Sequence, residues 1–132
     1  MKLATKSEYA KGGKFTMAKL GILLTAGPFQ FENWETAVNI ADAALDKGHE
    51  VAMFLYLDAI YNPNRHQTFP ELPTLPKDRF AKLVERGAKP IACSFCVQAR
   101  GQKGEDYIDG VPLGGLPDFA QILSEVDQLV TL

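Results

Sequence analysis

Apolar residues follow two alternating patterns along the chain. Short unbroken apolar runs are typical of strands that are covered on both faces of a parallel sheet. Between these runs, apolar residues recur every three or four positions, which is typical of helices with one buried face. The runs predict strands at residues 19–25, 51–57, 89–93 and 129–132. The periodic segments predict helices at about 32–47, at 78–86 and from Pro117 onward.

Strands that alternate with helices predict an α/β fold in a single three-layer domain. We expect a mostly parallel, doubly wound sheet of the flavodoxin-like kind, with right-handed crossovers and helices on both faces. The chain has 132 residues and is 46% hydrophobic, which is enough for one sizeable core. Residues 1–17 begin with a polar, lysine-rich segment and are predicted to be a mobile extension, and residues 18–132 the domain.

Charge and hydropathy argue against several classes of protein. The net charge is −2 and no basic block stands out, so direct nucleic-acid binding is not expected. No apolar run approaches the roughly 20 residues that span a bilayer. The start of the chain lacks the apolar core of a secretory signal, and the two cysteines are too few for a disulfide scaffold. We therefore expect a cytoplasmic protein without a membrane span.

The two cysteines are the strongest candidates for chemistry. Cys93 stands where the third strand is predicted to end, and a short helical turn follows it as far as Gly101. A helix N-terminus favours an anion, so a thiol there ionises more readily. Cys96 lies three residues on and can face the same way. We therefore expect the Cys93 sulfur to be exposed and easily ionised.

Loops rich in glycine and proline are predicted at the same edge of the sheet, where ligands of such folds bind. Gly27, Pro28 and Phe29 follow the first strand, and the segment 61–77, which follows the second, is predicted to be a lid or an oligomer contact. His66 in that segment is a candidate proton donor or thiolate partner, or else a solvated loop histidine. These loops and Cys93 together predict one active edge.

The remaining candidate residues are expected to have structural or protective roles and not chemical ones. The apolar neighbours Ile91, Ala92 and Phe95 are expected to limit the access of water and oxidants to the cysteines. His49 is expected at the surface or in a cap at the opposite edge of the sheet. Structural zinc would need two more ligands than the cysteines supply, so no metal is predicted. The glycines at 101–115 lack a phosphate-loop signature, so no nucleotide cofactor is predicted.

Four segments, in this order and spacing, resemble the DsrE/DsrF/TusD-like sulfur-relay family. They are the turn at 25–30, the helix end at 43–50, the strand-to-loop passage through Phe54, Tyr56 and Asp58, and Cys93 with the run 97–101. The resemblance covers about residue 19 to the C-terminus. It implies a DsrE-like fold, a sulfur-carrying Cys93, and a homo-oligomer, such as a trimer or hexamer, that exchanges sulfur with relay partner proteins. Cys96 departs from the family pattern.

The leading hypothesis is a sulfur carrier or sulfurtransferase that takes up sulfane sulfur as a persulfide on Cys93. One alternative is a redox protein that cycles Cys93 and Cys96 between dithiol and disulfide. Another is a non-catalytic oligomeric scaffold in which both cysteines are merely buried. The carrier needs Cys93 alone, the redox protein needs both thiols, and the scaffold needs neither.

Overall fold

The structure is a computed structural model, and it describes residues 16–132. Its strands are β1 (Lys19–Leu24), β2 (Glu50–Leu55), β3 (Lys89–Cys93), β4 (Leu113–Gly114) and β5 (Gln128–Thr131). Its helices are α1 (Asn33–Asp46), α2 (Pro76–Glu85), α3 (Ser94–Ala99) and α4 (Leu116–Glu125), with 3-10 helices at Leu57–Tyr61 and Gly104–Asp106. The predicted extension at 1–17 lies, except for its last two residues, outside the described part.

Within the described residues, the strands form one sheet in the order β4-β3-β2-β1-β5, and all neighbours are parallel. The chain adds β2, β3 and β4 in turn on one side of β1 and then crosses back to place β5 on the other side of β1. Right-handed crossovers therefore put α4 on the face opposite to α1 and α2. Phe119 of α4 stacks on Phe54 of β2 with 5.0 Å between ring centroids. Side chains alternate along a strand, so Met53 and Leu55 face the other layer. The predicted three-layer α/β fold is confirmed.

The structure departs from the predicted elements in three places. β2 ends at Leu55 because the chain turns sharply at Leu57, whose φ is 54°, and enters a 3-10 helix. β4 was not predicted because it has only two residues inside a glycine-rich segment. His49 is 3% exposed, and its Nδ1 accepts a hydrogen bond from the Ala18 N–H at 3.0 Å. The expected surface position is wrong, because this backbone partner draws the ring inward. The expected cap is confirmed, since the His49 N–H donates to the Ala44 carbonyl at the end of α1 at 3.0 Å.

The core lies on both faces of the sheet. Phe54, Met53 and Leu55 of β2 are fully buried, as is Val97 of the short helix α3. α3 therefore packs on the molecule by its apolar side at the carboxyl end of β3. No helix in the described part of the chain is long and apolar enough to cross a membrane.

Gly110 is a position where only glycine fits, and its replacement provides a test of the fold. Its φ is +88°, and a Cβ there would lie 2.4 Å from Cγ1 of Val84 in α2. We expect Gly110→Ala to lower the free energy of unfolding by about 2–4 kcal/mol, combining backbone strain with overpacking. Urea unfolding of the purified variant measures this loss.

Gly87→Ala is the matched control for that measurement. Gly87 has a φ of +100°, but nothing lies within 4 Å of the added Cβ. It should lose only about 1 kcal/mol, which is the backbone term alone. Equal losses in the two variants would contradict the close packing of Gly110 on α2.

Candidate functional site

Cys93 is the last residue of β3 and the N-cap of α3, as the strand-to-helix pattern predicts. Its Sγ accepts a hydrogen bond from the Cys96 N–H at 3.4 Å. Cys93 is only 2% exposed and Cys96 3% exposed, and both belong to the apolar core. The expectation of an exposed thiol is therefore wrong. The neighbouring elements explain the burial: Gly114 of β4 pairs with Cys93, and the backbone of Leu57 contacts Cys96.

Cys96 lies against two groups that favour negative charge. The Leu57 N–H donates a hydrogen bond to Cys96 Sγ at 3.2 Å, and the charge of Arg100 acts on the same sulfur. Burial works against both and is the largest cause that raises the Cys96 pKa above its ordinary value, and the neighbouring Cys93 raises it further. Cys96 therefore keeps its proton at neutral pH in the resting fold.

Arg100 connects the cysteine pair to the loop that follows β2. Its Nη1 donates to the Cys96 carbonyl oxygen at 3.2 Å, and its Nε donates to Asp58 Oδ1 at 2.8 Å. The Asp58 hydrogen bond is the largest cause that raises the Arg100 pKa, so the guanidinium stays charged. The ion pair thus fixes a positive charge beside Cys96.

A cavity of about 480 Å³ opens at the same edge of the sheet. Gly27, Pro28, Phe29 and His66, four of the predicted site residues, all line it. The other lining residues are Gln30, Asp58, Tyr61, Asn64, Gln67 and Gln102. Neither cysteine is among them, although Asp58 both lines the cavity and pairs with Arg100. The predicted active edge is therefore divided into a cavity and a buried cysteine pair, with the Asp58–Arg100 ion pair between them.

His66 has a carboxylate as its partner. Its Nε2 lies 3.0 Å from Asp106 Oδ1, and its side chain is 66% exposed. The Asp106 carboxylate has a lowered pKa, first because it accepts the Lys103 N–H and next because of His66. This placement favours a solvated loop histidine over a thiolate partner.

Phe95 does not shield the cysteines. It is 79% exposed, on the side of α3 that faces solvent, while Cys96 and Val97 face the core. The expectation that Phe95 limits access to the sulfur is wrong, because a helix of under two turns has only one buried side and the neighbours of Phe95 take it.

Several residues of the site were missed from the sequence. Leu57 carries no recognisable motif, yet its N–H contacts Cys96 Sγ. For Tyr107 the sequence predicts only a position within reach of the site, and the structure buries it to 1% exposure. The Tyr107 hydroxyl donates to Gln102 Oε1, and burial raises the Tyr107 pKa. Arg100 could have been found, since it belongs to the family-like run that ends at Gly101. Among the described residues, no group of three or more histidine, cysteine, aspartate or glutamate side chains could hold a metal ion.

Comparison with known proteins places this geometry in a family. An uncharacterised protein of Methanocaldococcus jannaschii is 32% identical over 113 residues, which cover 86% of this chain and 98% of the relative. The "Putative sulfurtransferase DsrE" of Allochromatium vinosum is 29% identical over 125 residues, covering 85% and 96%. The crystal structure of the ychN protein from E. coli has the same fold, with a TM-score of 0.81 and 24% identity over 88% of this chain and 100% of that one. The model of the DsrE/DsrF-like family matches residues 18–132, and the chain belongs to that family.

Proposed function

We propose that this protein is a sulfur carrier or sulfurtransferase that takes up sulfane sulfur as a persulfide on Cys93 and passes it to a relay partner. The observation that carries the proposal is the position of Cys93 at the carboxyl end of β3, with its Sγ hydrogen-bonded to the Cys96 N–H. That N–H can stabilise a thiolate or a persulfide anion on Cys93. The relative named as a sulfurtransferase supports the same chemistry.

Each transfer is a thiol–disulfide type exchange at sulfur. The Cys93 thiolate attacks the outer sulfur of a donor persulfide, R–S–SH. The new bond is Cys93 Sγ–S, and the donor leaves as the thiolate R–S⁻. In the second half, an acceptor thiolate attacks the outer sulfur of the Cys93 persulfide and Cys93 leaves as a thiolate. Atoms and electrons balance in both steps with the donor, Cys93 and the acceptor alone.

Because both sulfurs are buried, transfer requires the segments that cover the cysteine pair to move away from it. These segments, the cover of the pair, are β4 at Gly114 and the chain at Leu57. Three exposed apolar side chains surround this cover: Leu57 beside Cys96, Phe95 on α3, and Leu113 in β4. We place the docking of the relay partner on this apolar rim, since burying it would offset the cost of opening. A homo-oligomer, such as a trimer or hexamer, stays a prediction from the family resemblance, and a cytoplasmic location stays a prediction from the sequence.

Sulfur loading tests the assignment of Cys93. The protein is incubated with sodium tetrasulfide and desalted, and its intact mass is measured. The Cys96→Ser variant, whose one remaining thiol is Cys93, should gain the mass of one sulfur atom. The Cys93→Ser variant should gain none, because the raised pKa of Cys96 keeps that thiol protonated at neutral pH. Equal gains in the two variants would overturn the assignment.

The closeness of the two buried free cysteines, with the Cys96 N–H 3.4 Å from Cys93 Sγ, favours a second candidate, a dithiol–disulfide redox protein. The same samples separate the two functions. A redox protein would form a reversible Cys93–Cys96 disulfide in thiol–disulfide buffers while the Cys96→Ser variant takes up no sulfur. If the thiols stay inert in both experiments, the non-catalytic scaffold is the hypothesis that remains.

A further inference from the structure

We infer that Cys96 is the resolving thiol of this site: it discharges the persulfide on Cys93 as hydrosulfide and leaves a Cys93–Cys96 disulfide. The inference rests on the proposed function, since it needs sulfur on Cys93. It adds a second activity, the reductive release of sulfide, to the transfer of sulfur between partners.

The backbone around Leu57 supports this role for Cys96. Leu57 adopts a left-handed conformation, with φ 54°, which costs a leucine on the order of 1–2 kcal/mol. In this conformation its N–H donates to Cys96 Sγ at 3.2 Å. The flanking chain holds it in place: the Tyr56 N–H bonds the Leu24 carbonyl at 2.9 Å and the Ala59 N–H bonds the Tyr56 carbonyl at 3.1 Å. The fold therefore keeps a strained backbone conformation at Leu57, and this conformation directs the Leu57 N–H at the Cys96 sulfur.

The two cysteines already interact in the resting fold. The Cys96 N–H donates to Cys93 Sγ at 3.4 Å, and both side chains are buried in the same core cluster. Arg100 anchors the other side of Cys96 through its carbonyl oxygen and is itself held by Asp58. A persulfide formed on Cys93 would thus have the Cys96 thiol beside it, with the charge of Arg100 next to that thiol, and burial would keep external thiols away for as long as the pair stays covered.

The step balances without an added oxidant. The Cys96 sulfur attacks Cys93 Sγ, and the bond from Sγ to the outer sulfur breaks. The outer sulfur leaves with the bonding electron pair and the Cys96 proton: Cys93–S–S⁻ + HS–Cys96 gives Cys93–S–S–Cys96 + HS⁻. The sulfane sulfur is reduced by two electrons, and the two cysteine sulfurs are each oxidised by one. A low-molecular-weight thiol or a protein dithiol then reduces the disulfide and returns the site to its starting state.

The lifetime of the persulfide tests this inference. Wild type and Cys96→Ser are loaded with sodium tetrasulfide and desalted, and their masses and released sulfide are followed over time. In wild type, the persulfide should give way to a species two hydrogens lighter than the reduced chain, with one sulfide released per chain. In Cys96→Ser the persulfide should last at least about tenfold longer, because the neighbouring nucleophile is gone.

A displaced thiol is the matched control. In Cys96→Ser combined with Phe95→Cys, the second thiol moves to a position that is 79% exposed on the same helix, and rapid discharge should not return. Non-reducing peptide mapping of the loaded wild type should find the Cys93–Cys96 disulfide, and this readout needs no variant to fold. Equal persulfide lifetimes, or sulfide release without the disulfide, would overturn the inference. A Cys96→Ser variant that folds but takes up no sulfur would overturn the proposed function instead.

Discussion

Both cysteines are expected to react with iodoacetamide at least about 100-fold more slowly in the folded protein than in urea, because alkylation must wait for local opening. Cys93 and Cys96 are 2% and 3% exposed. Alkylation also requires a thiolate, and the raised pKa of Cys96 lowers its thiolate fraction at neutral pH. Quenched-flow labelling with mass detection measures the two rates.

An exposed thiol on the same helix calibrates that measurement. A variant with both native cysteines replaced by serine and with Phe95→Cys carries its one thiol at a position that is 79% exposed. It should label at nearly the same rate folded and unfolded. If Cys93 in the folded protein labelled as fast as the thiol at position 95, the sulfur would be freely accessible, and no opening step would be needed for transfer.

The sheet was largely predictable because its strands are continuous apolar runs, and such runs are typical of strands covered on both faces. The errors fall where local composition carries no signal. β4 has two residues, too few for any periodicity, and Leu57 is a residue type that ordinarily avoids positive φ. In both cases tertiary contacts decide the structure: β4 pairs with β3, and the N–H of Leu57 bonds a distant sulfur.

The sequence predicts where the candidate site residues lie in the fold, but not that Cys93 is shielded from solvent. The end of β3 at Cys93 and the helix after it follow from the apolar run and the glycine at 101. Burial of Cys93 depends on β4 and on the chain after β2, which are distant in sequence. The cavity residues at 27–29 and His66 came together because they follow the carboxyl ends of neighbouring strands. The Asp58–Arg100 ion pair lies between these residues and the cysteines, and no local pattern indicated it.

The buried thiol and phenol at this edge predict that the protein loses stability in alkali. Burial is the largest cause that raises the pKa of both Cys96 and Tyr107, whose ordinary values are 9.0 and 10.0. Above those values the unfolded chain loses protons that the folded chain keeps. The free energy of unfolding should therefore be unaffected by these groups below about pH 9, and above it should fall by up to about 1.4 kcal/mol per pH unit for each group.

Urea unfolding under reducing conditions, at about pH 8 and about pH 10, measures this fall. Tyr107→Phe combined with Cys96→Ser removes both titrating groups, so its stability should change less between the two pH values. The comparison uses the change with pH and not the absolute stability, because Tyr107→Phe also removes the hydrogen bond to Gln102. The same alkaline fall in wild type and in the double variant would show that these two groups titrate alike in the folded and unfolded chain, and the electrostatic description of the cysteine pair would then be wrong.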